Sequence, residues 1–508
     1  MPLIPMLLLS VACPLALALS FPKANLSVFA FVGLAPLFWS WSRASWRAAF
    51  WWGWLCGCVF FGSTLYWMTN SIGDFIGGWS VLALILLAGF QGFSIGVAAL
   101  LTSLCGRGRL RALTVIAAPA AWLLVETSRT RGALGQPFAQ IGLVAAHVPW
   151  LLPMAAFAGV YGLTTIVALF NSALAGIIWG SFGGRRAAVA VLIALVAAVA
   201  IGDAARARIA VPPPHLRVAI AQGDVSQRVK WSPAAFERSL QTYATLTRSA
   251  AQQGAAIVVW PETAITAFPL EDASLLNELQ SLAASTRTWI LAGTVDRLKP
   301  DAYQNVVIAL SPQRGIAGIY RKHLLVPFAE YLPLDAYLRR LPLFDRASQF
   351  VPGEGPKIIN AAGAGFGTLI CYESAFAPYA RRTVNAGAYA LLVVTDDAWF
   401  GQGAGPYQHL DMSVIDAVQT GRWVVRGADT GISEIVDPKG KPAAVLGLDR
   451  AGVVIADIGA PLSTPYLRWG SFWLVMLAGA VLLLTLAAAA RAEKRSPTSG
   501  WRSRRSGS

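Results

Sequence analysis

The sequence predicts a membrane protein in which one α/β domain is inserted before the last of eight membrane-spanning helices. Two observations carry this prediction. The chain of 508 residues is 56% hydrophobic and only 13% charged, which is far from the average of soluble proteins. Apolar stretches dominate both ends of the chain, whereas segment 206–468 has ordinary polar content and is long enough for one sizeable domain.

Eight apolar stretches have the length of a membrane span, roughly 17–25 residues. They lie near 3–20, 25–42, 49–68, 79–103, 112–127, 150–180, 186–203 and 469–490. We therefore expect a seven-helix membrane domain over 1–205, a catalytic domain over 206–468, an eighth helix over 469–490 and a basic tail over 491–508.

The excess of positive charge indicates membrane topology rather than nucleic-acid binding. Lys and Arg number 41 against 26 Asp and Glu, a net charge of +15. With a cytoplasmic N-terminus, the cytoplasmic side carries Arg43, Arg47, Arg107, Arg109, Arg111, Arg185, Arg186, Arg491, Lys494, Arg495, Arg502, Arg504 and Arg505. The opposite loops carry Lys23, Arg129 and Arg131. This bias predicts a bacterial inner-membrane protein with both termini cytoplasmic and the large domain periplasmic.

Short β-rich runs alternate with helical stretches in 206–468, which is typical of an α/β layered fold. Strands are predicted at 216–222, 256–260, 289–295, 306–310, 315–320, 368–371, 390–395, 423–426, 431–437 and 452–458. Helices are predicted at 233–252, 272–285, 374–386 and 405–420. Active-site residues of such domains gather where strands end.

Reactive side chains follow four of these strands: Glu262, Lys322, Cys371 and the pair Asp396 and Asp397. A free thiol has a pKa of about 8.5 and is mostly protonated at neutral pH. A carboxylate that takes its proton and a cation that stabilises an oxyanion complete the set for attack on a carbonyl. Glu262, Lys322 and Cys371 together therefore predict nucleophilic catalysis.

Cys371 is the single cysteine of the predicted catalytic domain. The others, Cys13, Cys56, Cys58 and Cys105, lie in or at the ends of predicted spans. Cys371 thus has no disulfide partner within its own domain, although the periplasm is an oxidising compartment. An inert buried cysteine remains the alternative to a nucleophile.

Histidine could supply a different base. His323 follows Lys322 directly, but neighbouring residues on a strand point to opposite faces, so His323 is expected to face away from the thiol. His409 is a second candidate for a Cys–His pair. No metal site is expected, because the four histidines show no ligand spacing of the usual kind.

Four motifs, in this order, resemble those of the nitrilase superfamily. They are Trp260-Pro261-Glu262-Thr263, the run Lys322 to Pro333, Ile370-Cys371-Tyr372-Glu373 and Asp396-Asp397-Ala398-Trp399-Phe400-Gly401. With the flanking apolar stretches, the whole chain is similar to the membrane-embedded branch of that superfamily, the apolipoprotein N-acyltransferases.

The resemblance implies an α-β-β-α sandwich in which Glu262 is the general base, Lys322 the oxyanion-stabilising cation and Cys371 the nucleophile. It places Glu330 in the active site as a second carboxylate and associates Tyr372 and Glu373 with activity. It associates Trp231 with substrate engagement or loop anchoring, and Trp399 belongs to the last motif.

The implied reaction is a ping-pong acyl transfer without a cofactor. Cys371 takes an acyl chain from a membrane phospholipid as a thioester. The α-amino group of the N-terminal diacylglyceryl-cysteine of an apolipoprotein then accepts the chain. The enzyme is expected to be a monomer.

Three positions depart from the pattern of this family. Gln136-Pro137-Phe138 stands where Phe-Pro-Trp is frequent, and Asp396 and Asp429 stand where Asn is commoner. They leave the three catalytic candidates intact and concern the residues that would hold lipid and acceptor.

The rival functions are a membrane-anchored amidase of nitrilase type, which the same three residues would serve, and a transporter or scaffold. The scarcity of charges in the middle of the spans speaks against an ion pathway.

Overall fold

The computed structural model describes residues 3–106, 108–226, 229–340 and 350–494. The predicted basic tail lies outside the described residues from position 495 onward. The described chain has a helical N-terminal part, an α/β part and a final long helix.

The N-terminal part is built from α-helices joined by short turns and 3₁₀ segments. The helices are α1 (Leu3–Ala18), α2 (Val28–Val32), α3 (Ala35–Trp41), α4 (Trp46–Thr64), α5 (Met68–Ile76), α6 (Ser80–Cys105), α7 (Thr114–Arg129), α8 (Ala155–Trp179) and α9 (Phe182–Ala207).

Seven further helices belong to the rest of the described chain. They are α10 (Pro233–Gln252), α11 (Ala273–Thr286), α12 (Asp335–Leu338), α13 (Ala377–Asn385), α14 (Gly405–Thr420) and α15 (Pro465–Trp469), and α16 (Phe472–Lys494) ends the described chain.

Each predicted span coincides with one or two of these helices. Within the described residues, four helical segments are long and apolar enough to cross a membrane: Gly77–Cys105, Leu152–Trp179, Gly183–Ala207 and Phe472–Ala492. Apolar helices on both sides of the α/β part are thereby confirmed, whereas the count of eight spans stays a prediction.

Twelve strands form two six-stranded mixed sheets in the described chain. The strands are β1 (Pro214–Gln222), β2 (Ile257–Ile265), β3 (Trp289–Lys299), β4 (Ala302–Ser311), β5 (Gly315–Arg321), β6 (Ile358–Ala361), β7 (Ala364–Ile370), β8 (Ala390–Thr395), β9 (Val424–Ala428), β10 (Ser433–Val436), β11 (Pro442–Leu446) and β12 (Gly452–Gly459). The orders are β12-β1-β2-β3-β4-β5 and β11-β10-β9-β8-β7-β6. In each sheet three adjacent strands are parallel, β1-β2-β3 and β7-β8-β9.

The two sheets pack face to face, with helices on their outer faces. Ile220 and Val259 of the first sheet share a fully buried cluster with Leu392 and Val425 of the second. The outer face of the first sheet packs against α10 and α11, and that of the second against α13 and α14. The predicted α-β-β-α sandwich is therefore confirmed.

Local chemistry explains where the site-bearing elements begin and bend. Helix α10 begins at the predicted residue because the Ser232 side chain accepts a hydrogen bond from the Ala235 N–H and Pro233 occupies the first turn. Strand β2 departs from regular pairing between Trp260 and Ile265. Glycine at 293 permits this course, since a Cβ there would lie 2.1 Å from the Pro261 carbonyl oxygen.

Candidate active site

Cys371 lies immediately after the end of β7, where the chain turns into a 3₁₀ segment, Cys371–Ala375. The strand stops one residue earlier than predicted because Cys371 leaves the extended conformation. Its φ of 49° is left-handed, a region that side chains other than glycine rarely adopt and that is enriched at active sites. The thiol is partly buried and emerges at the strand ends.

Glu262, Lys322 and Glu330 form one ion cluster. The Lys322 Nζ lies 3.3 Å from Glu262 Oε1 and 2.8 Å from Glu330 Oε1. The Lys322 side chain is 1% exposed and that of Glu262 is 8% exposed, so water screens these charges little. The second oxygen of Glu330 accepts a hydrogen bond from the Val326 N–H at 2.8 Å.

The charges of the cluster act on both Lys322 and Cys371. Burial by itself would lower the pKa of Lys322, but the carboxylates of Glu330 and Glu262 outweigh it and raise that pKa. Burial, and next the Glu262 carboxylate, raise the pKa of the Cys371 thiol well above its usual value, while Lys322 opposes them. At neutral pH the resting site therefore holds an ammonium and an uncharged thiol.

Glu262 is held in place by neighbours from two other strands. Its Oε1 accepts a hydrogen bond from Asn305 Nδ2 at 2.7 Å, and its Oε2 accepts one from the main-chain N–H of Asp396 at 2.9 Å. Asn305 belongs to β4 and Asp396 follows β8. The position of the carboxylate is thus fixed from both sheets.

Glu373, two residues after the nucleophile, connects the ends of two strands. It is fully buried, and the Tyr320 hydroxyl donates to both of its oxygens. The main-chain N–H groups of Ile370, His323 and Leu324 donate to it as well. The carboxylate therefore ties the end of β5 to the end of β7.

Tyr372 points from the nucleophile toward the helical part. Its hydroxyl donates to the carbonyl of Gly135 at 2.5 Å, and its ring meets Phe376 edge-on. Tyr331 makes a similar contact, donating to the Ala133 carbonyl at 2.7 Å. The connection between α7 and α8 therefore borders the active site.

The unusual Gln136-Pro137-Phe138 segment lies in that connection. Arg129 donates to the carbonyls of Gln136 and Phe138, at 2.7 and 3.0 Å, which fixes the path of the loop. The Phe138 ring contacts Trp67 and Phe400 edge-on. The segment packs under the Asp396–Gly401 motif.

Among the described residues, neither candidate histidine forms a hydrogen bond with the thiol. His323 Nδ1 lies 2.7 Å from the Gly353 carbonyl oxygen, and its ring stacks on Tyr379. His409 Nε2 lies 2.8 Å from Ser374 Oγ and 3.2 Å from the carbonyl oxygen of Cys371. His409 therefore contacts the main chain of the nucleophile.

Asp397 belongs to a separate buried ion pair. Its Oδ2 lies 2.6 Å from Arg426 Nη2, and its Oδ1 lies 3.0 Å from His409 Nδ1. Burial would raise the pKa of Asp397, but Arg426 and His409 outweigh it and lower that pKa to about 2. Asp397 is thus an anion at neutral pH and connects helix α14 to strand β9 of the second sheet.

The two tryptophans occupy different environments. Trp231 precedes α10 and is 52% exposed, which is unusual for so large an apolar side chain. Trp399 lies in the 3₁₀ segment Asp397–Phe400, and its carbonyl accepts a hydrogen bond from Ser71 at 2.7 Å. The Trp399 loop is thereby joined to the helical part.

Sequence reasoning missed two residues of this site, Asn305 and Lys230. Asn305 has no sequence signal beyond its place on a buried strand. Lys230 is 1% exposed and lies between the carboxylates of Asp396 and Asp429. The sequence signal that could have indicated Lys230 was the pair Asp396 and Asp429, because buried carboxylates at adjacent strand ends require a cation.

The fold and the ion cluster of Glu262, Lys322 and Glu330 indicate the class of protein. Residues 217–466 match the carbon-nitrogen hydrolase family, so the α/β part is a domain of the nitrilase superfamily. Residues 14–174 match the apolipoprotein N-acyltransferase N-terminal domain.

Relatives that match nearly the whole chain identify the family within that superfamily. An apolipoprotein N-acyltransferase of Geobacter metallireducens is 31% identical over 94% of this chain and 95% of its own length. One of Azotobacter vinelandii is 32% identical over 96% of both chains. The chain belongs to the apolipoprotein N-acyltransferase family and is an acyltransferase.

A solved amidase from Nesterenkonia sp. AN1 is 20% identical, covering 52% of this chain and 99% of its own, with a TM-score of 0.40.

Proposed function

We propose that Cys371 carries an acyl chain from a membrane phospholipid to the N-terminal amino group of a diacylglyceryl apolipoprotein, with Glu262 as general base and Lys322 as the oxyanion-stabilising cation. The observation that carries this proposal is the buried cluster of Glu262, Lys322 and Glu330, whose charges act on the Cys371 thiol. The membership of the family supports the choice of substrates.

In the first half-reaction the Cys371 sulfur bonds to the carbonyl carbon of the phospholipid ester while Glu262 takes the thiol proton. Lys322 stabilises the oxyanion of the tetrahedral intermediate. The ester C–O bond then breaks, and the leaving lysophospholipid oxygen receives the proton from Glu262. The enzyme is left as a thioester.

In the second half-reaction the α-amino nitrogen of the apolipoprotein bonds to the thioester carbon. Glu262 takes a proton from that nitrogen, the C–S bond breaks and the Cys371 sulfur is protonated again. An amide is more stable than a thioester, so the transfer needs no external energy source. Glu330 adds a second negative charge that keeps Lys322 protonated.

The apolar surroundings support lipid-anchored substrates. Trp231, which follows Lys230 in the chain, and Phe328, two residues before Glu330, are 52% and 48% exposed. Exposed aromatic side chains of this kind suit contact with acyl chains at the membrane surface. We assign Trp231 to substrate contact, and Tyr372, Glu373 and Trp399 to support of the site.

We further propose eight membrane spans, with the domain 206–468 in the periplasm before the eighth span, both termini in the cytoplasm, and a monomer as the active unit. The test introduces single cysteines at Arg185 and Lys441 in a chain whose native cysteines are replaced by Ala. An impermeant thiol reagent applied to intact spheroplasts should label position 441 and spare position 185. The reverse pattern would contradict the topology, and a dimer mass in detergent would contradict the monomer.

The experiment that tests the catalytic proposal uses purified full-length protein and phospholipid with a radiolabelled acyl chain. Label should appear on the protein, be released by neutral hydroxylamine, and map to Cys371. A diacylated lipopeptide added afterwards should take up the label as an amide.

Matched variants make the outcome decisive. Cys371→Ala should take no label, whereas Cys105→Ala, which changes a buried thiol of the helical part, should be labelled like the wild type. Label released into water in the presence of lipopeptide would favour an amidase-type hydrolase. A wild-type protein without label would overturn the proposal.

A further inference from the structure

A second buried ion cluster lies behind Glu262, with Lys230 at its centre. The Lys230 Nζ lies 2.7 Å from Asp396 Oδ2 and 2.9 Å from Asp429 Oδ2. The three side chains are between 0 and 3% exposed. Two carboxylates share one ammonium in surroundings where an unpaired charge would cost several kcal/mol.

This cluster contacts Glu262 twice. Asp396, which Lys230 holds by its side chain, donates its main-chain N–H to Glu262 Oε2 at 2.9 Å. Lys230 also donates directly to the main-chain carbonyl of Glu262 at 3.3 Å. Loss of the ammonium would therefore loosen Glu262 at its carboxylate and at its backbone.

The same cluster fixes the segment that ends in Trp231. Thr266 donates to the carbonyl of Lys230 at 3.1 Å. Asp429 accepts hydrogen bonds from the Tyr243 hydroxyl at 2.8 Å and from the Val225 N–H at 3.3 Å. The exposed Trp231 thus follows directly on a residue anchored in the interior.

The ammonium of the cluster stays charged because two carboxylates surround it. Burial would lower the pKa of Lys230, but the carboxylates of Asp396 and Asp429 outweigh it and raise that pKa. Lys230 therefore remains a cation throughout the physiological range. The two aspartates that depart from the family pattern are the partners of this one lysine.

We propose that Lys230 is a positioning residue for Glu262, acting through Asp396. By fixing the Asp396 N–H on the carboxylate of Glu262, it sets the direction in which that carboxylate meets the Cys371 thiol. The inference rests on the proposed role of Glu262 and adds to it the group that orients the base.

The test is a single-turnover measurement of acyl label on Cys371 with radiolabelled phospholipid, comparing wild type with Lys230→Met. The amplitude reports the correctly folded fraction, and the rate constant reports the geometry of the site. A misplaced base should lower the rate constant roughly 10- to 100-fold. Arg238→Met, which removes an exposed cation from α10, is the matched control and should retain the wild-type rate constant.

A second variant separates positioning from folding. Lys230→Met leaves two buried carboxylates without a cation, so the protein could lose amplitude simply because it unfolds. The triple variant Lys230→Met, Asp396→Asn, Asp429→Asn removes all three charges. It should regain the amplitude while the rate constant stays low, because the ion pair between residues 230 and 396 no longer fixes the main-chain N–H of residue 396 on Glu262.

The dependence of the labelling rate constant on phospholipid concentration provides a readout that a purely structural role would not move. In the triple variant a misplaced Glu262 should lower the limiting rate constant at saturating phospholipid, whereas loss of folded protein alone would lower only the amplitude.

The outcomes distinguish this inference from the proposal beneath it. A wild-type protein that takes no label overturns both. A labelled wild type with an unchanged rate constant in Lys230→Met, or a triple variant that recovers both amplitude and rate constant, overturns the positioning role alone.

Discussion

Lys322 and Glu373 are both fully buried charged groups near Cys371, yet they are held in different ways. Glu373 accepts hydrogen bonds from four donor groups, the Tyr320 hydroxyl and three main-chain N–H groups, and a carboxylate offers about four lone-pair positions. Lys322 donates to Glu262 and Glu330. An ammonium has three N–H donors, so among the described residues one stays for a reacting oxygen. Glu373, whose acceptor positions are all occupied, therefore stabilises the fold. Lys322, which has an N–H group left over, can take part in the reaction.

The largest effect expected from this difference follows replacement of the base. Glu262→Gln keeps the shape of the side chain but removes the proton acceptor, so the rate constant for thioester formation should fall roughly 100- to 10,000-fold. Single-turnover labelling measures it. Glu278→Gln on α11, an exposed position, is the control and should label normally. Wild-type labelling by Glu262→Gln would mean that another group takes the proton.

The second largest effect on the rate of thioester formation is expected from removing the Lys322 ammonium. Lys322→Met should slow thioester formation about 100- to 1,000-fold, the effect of losing one oxyanion-stabilising group. It also leaves Glu262 and Glu330 unpaired, so Glu330→Gln should be added if the single variant unfolds. Lys357→Met, at an exposed lysine, should leave the rate unchanged. A normal rate in the double variant would show that Lys322 only pairs charges.

The acidity of the thiol tests the same cluster without any acyl donor. Burial first, and then Glu262, raise the pKa of Cys371. Alkylation by iodoacetamide should therefore keep rising with pH above about 8.5, the ordinary thiol pKa. In Glu262→Gln the negative charge is gone, so the pKa of Cys371 falls and the alkylation profile should move to lower pH. Alkylation at a fixed pH near 8 should then be faster while acyl transfer is slower. A shift of the alkylation profile to higher pH would show that the Glu262 charge does not raise the pKa of the thiol.

Glu373 should respond mainly in stability. Glu373→Gln replaces acceptor positions with N–H donors that face other N–H groups, which should lower the free energy of unfolding by about 2–4 kcal/mol. Thermal unfolding measures this loss, and the labelling rate constant of the protein that remains folded should stay within a few-fold of wild type. A large drop in that rate constant with an unchanged melting temperature would place Glu373 in the chemistry instead.

The smallest effect is expected at Tyr372. Tyr372→Phe removes the hydrogen bond to the Gly135 carbonyl, worth about 1 kcal/mol, so the labelling rate should fall less than tenfold. The control is Tyr389→Phe. It removes a hydroxyl that contacts His215 just before the start of β8, and it should leave the labelling rate unchanged. A loss of several hundredfold at position 372 would indicate contact of its hydroxyl with substrate.

Particular elements mark how far prediction from the sequence reached. Helices 233–252 and 405–420 were found at their predicted bounds, because capping residues and a 3.6-residue period are local signals. Strands β6 and β11 were missed, since a short strand acquires its identity only from the neighbour with which it pairs. Strand β2 continues past its predicted end at Trp260, because its irregular course depends on Gly293 in the next strand.

The sequence by itself determined the membrane class, the α/β sandwich, the family, and the candidates Glu262, Lys322 and Cys371, because composition, periodicity and short motifs are written along the chain. Only the tertiary structure decided how charges pair: Glu330 and Glu262 with Lys322, Asp396 and Asp429 with Lys230, and Glu373 with four hydrogen-bond donors from four residues. These partners are separated by up to about two hundred residues, and Coulomb energy and hydrogen bonding depend on distance in space, which sequence separation does not reveal.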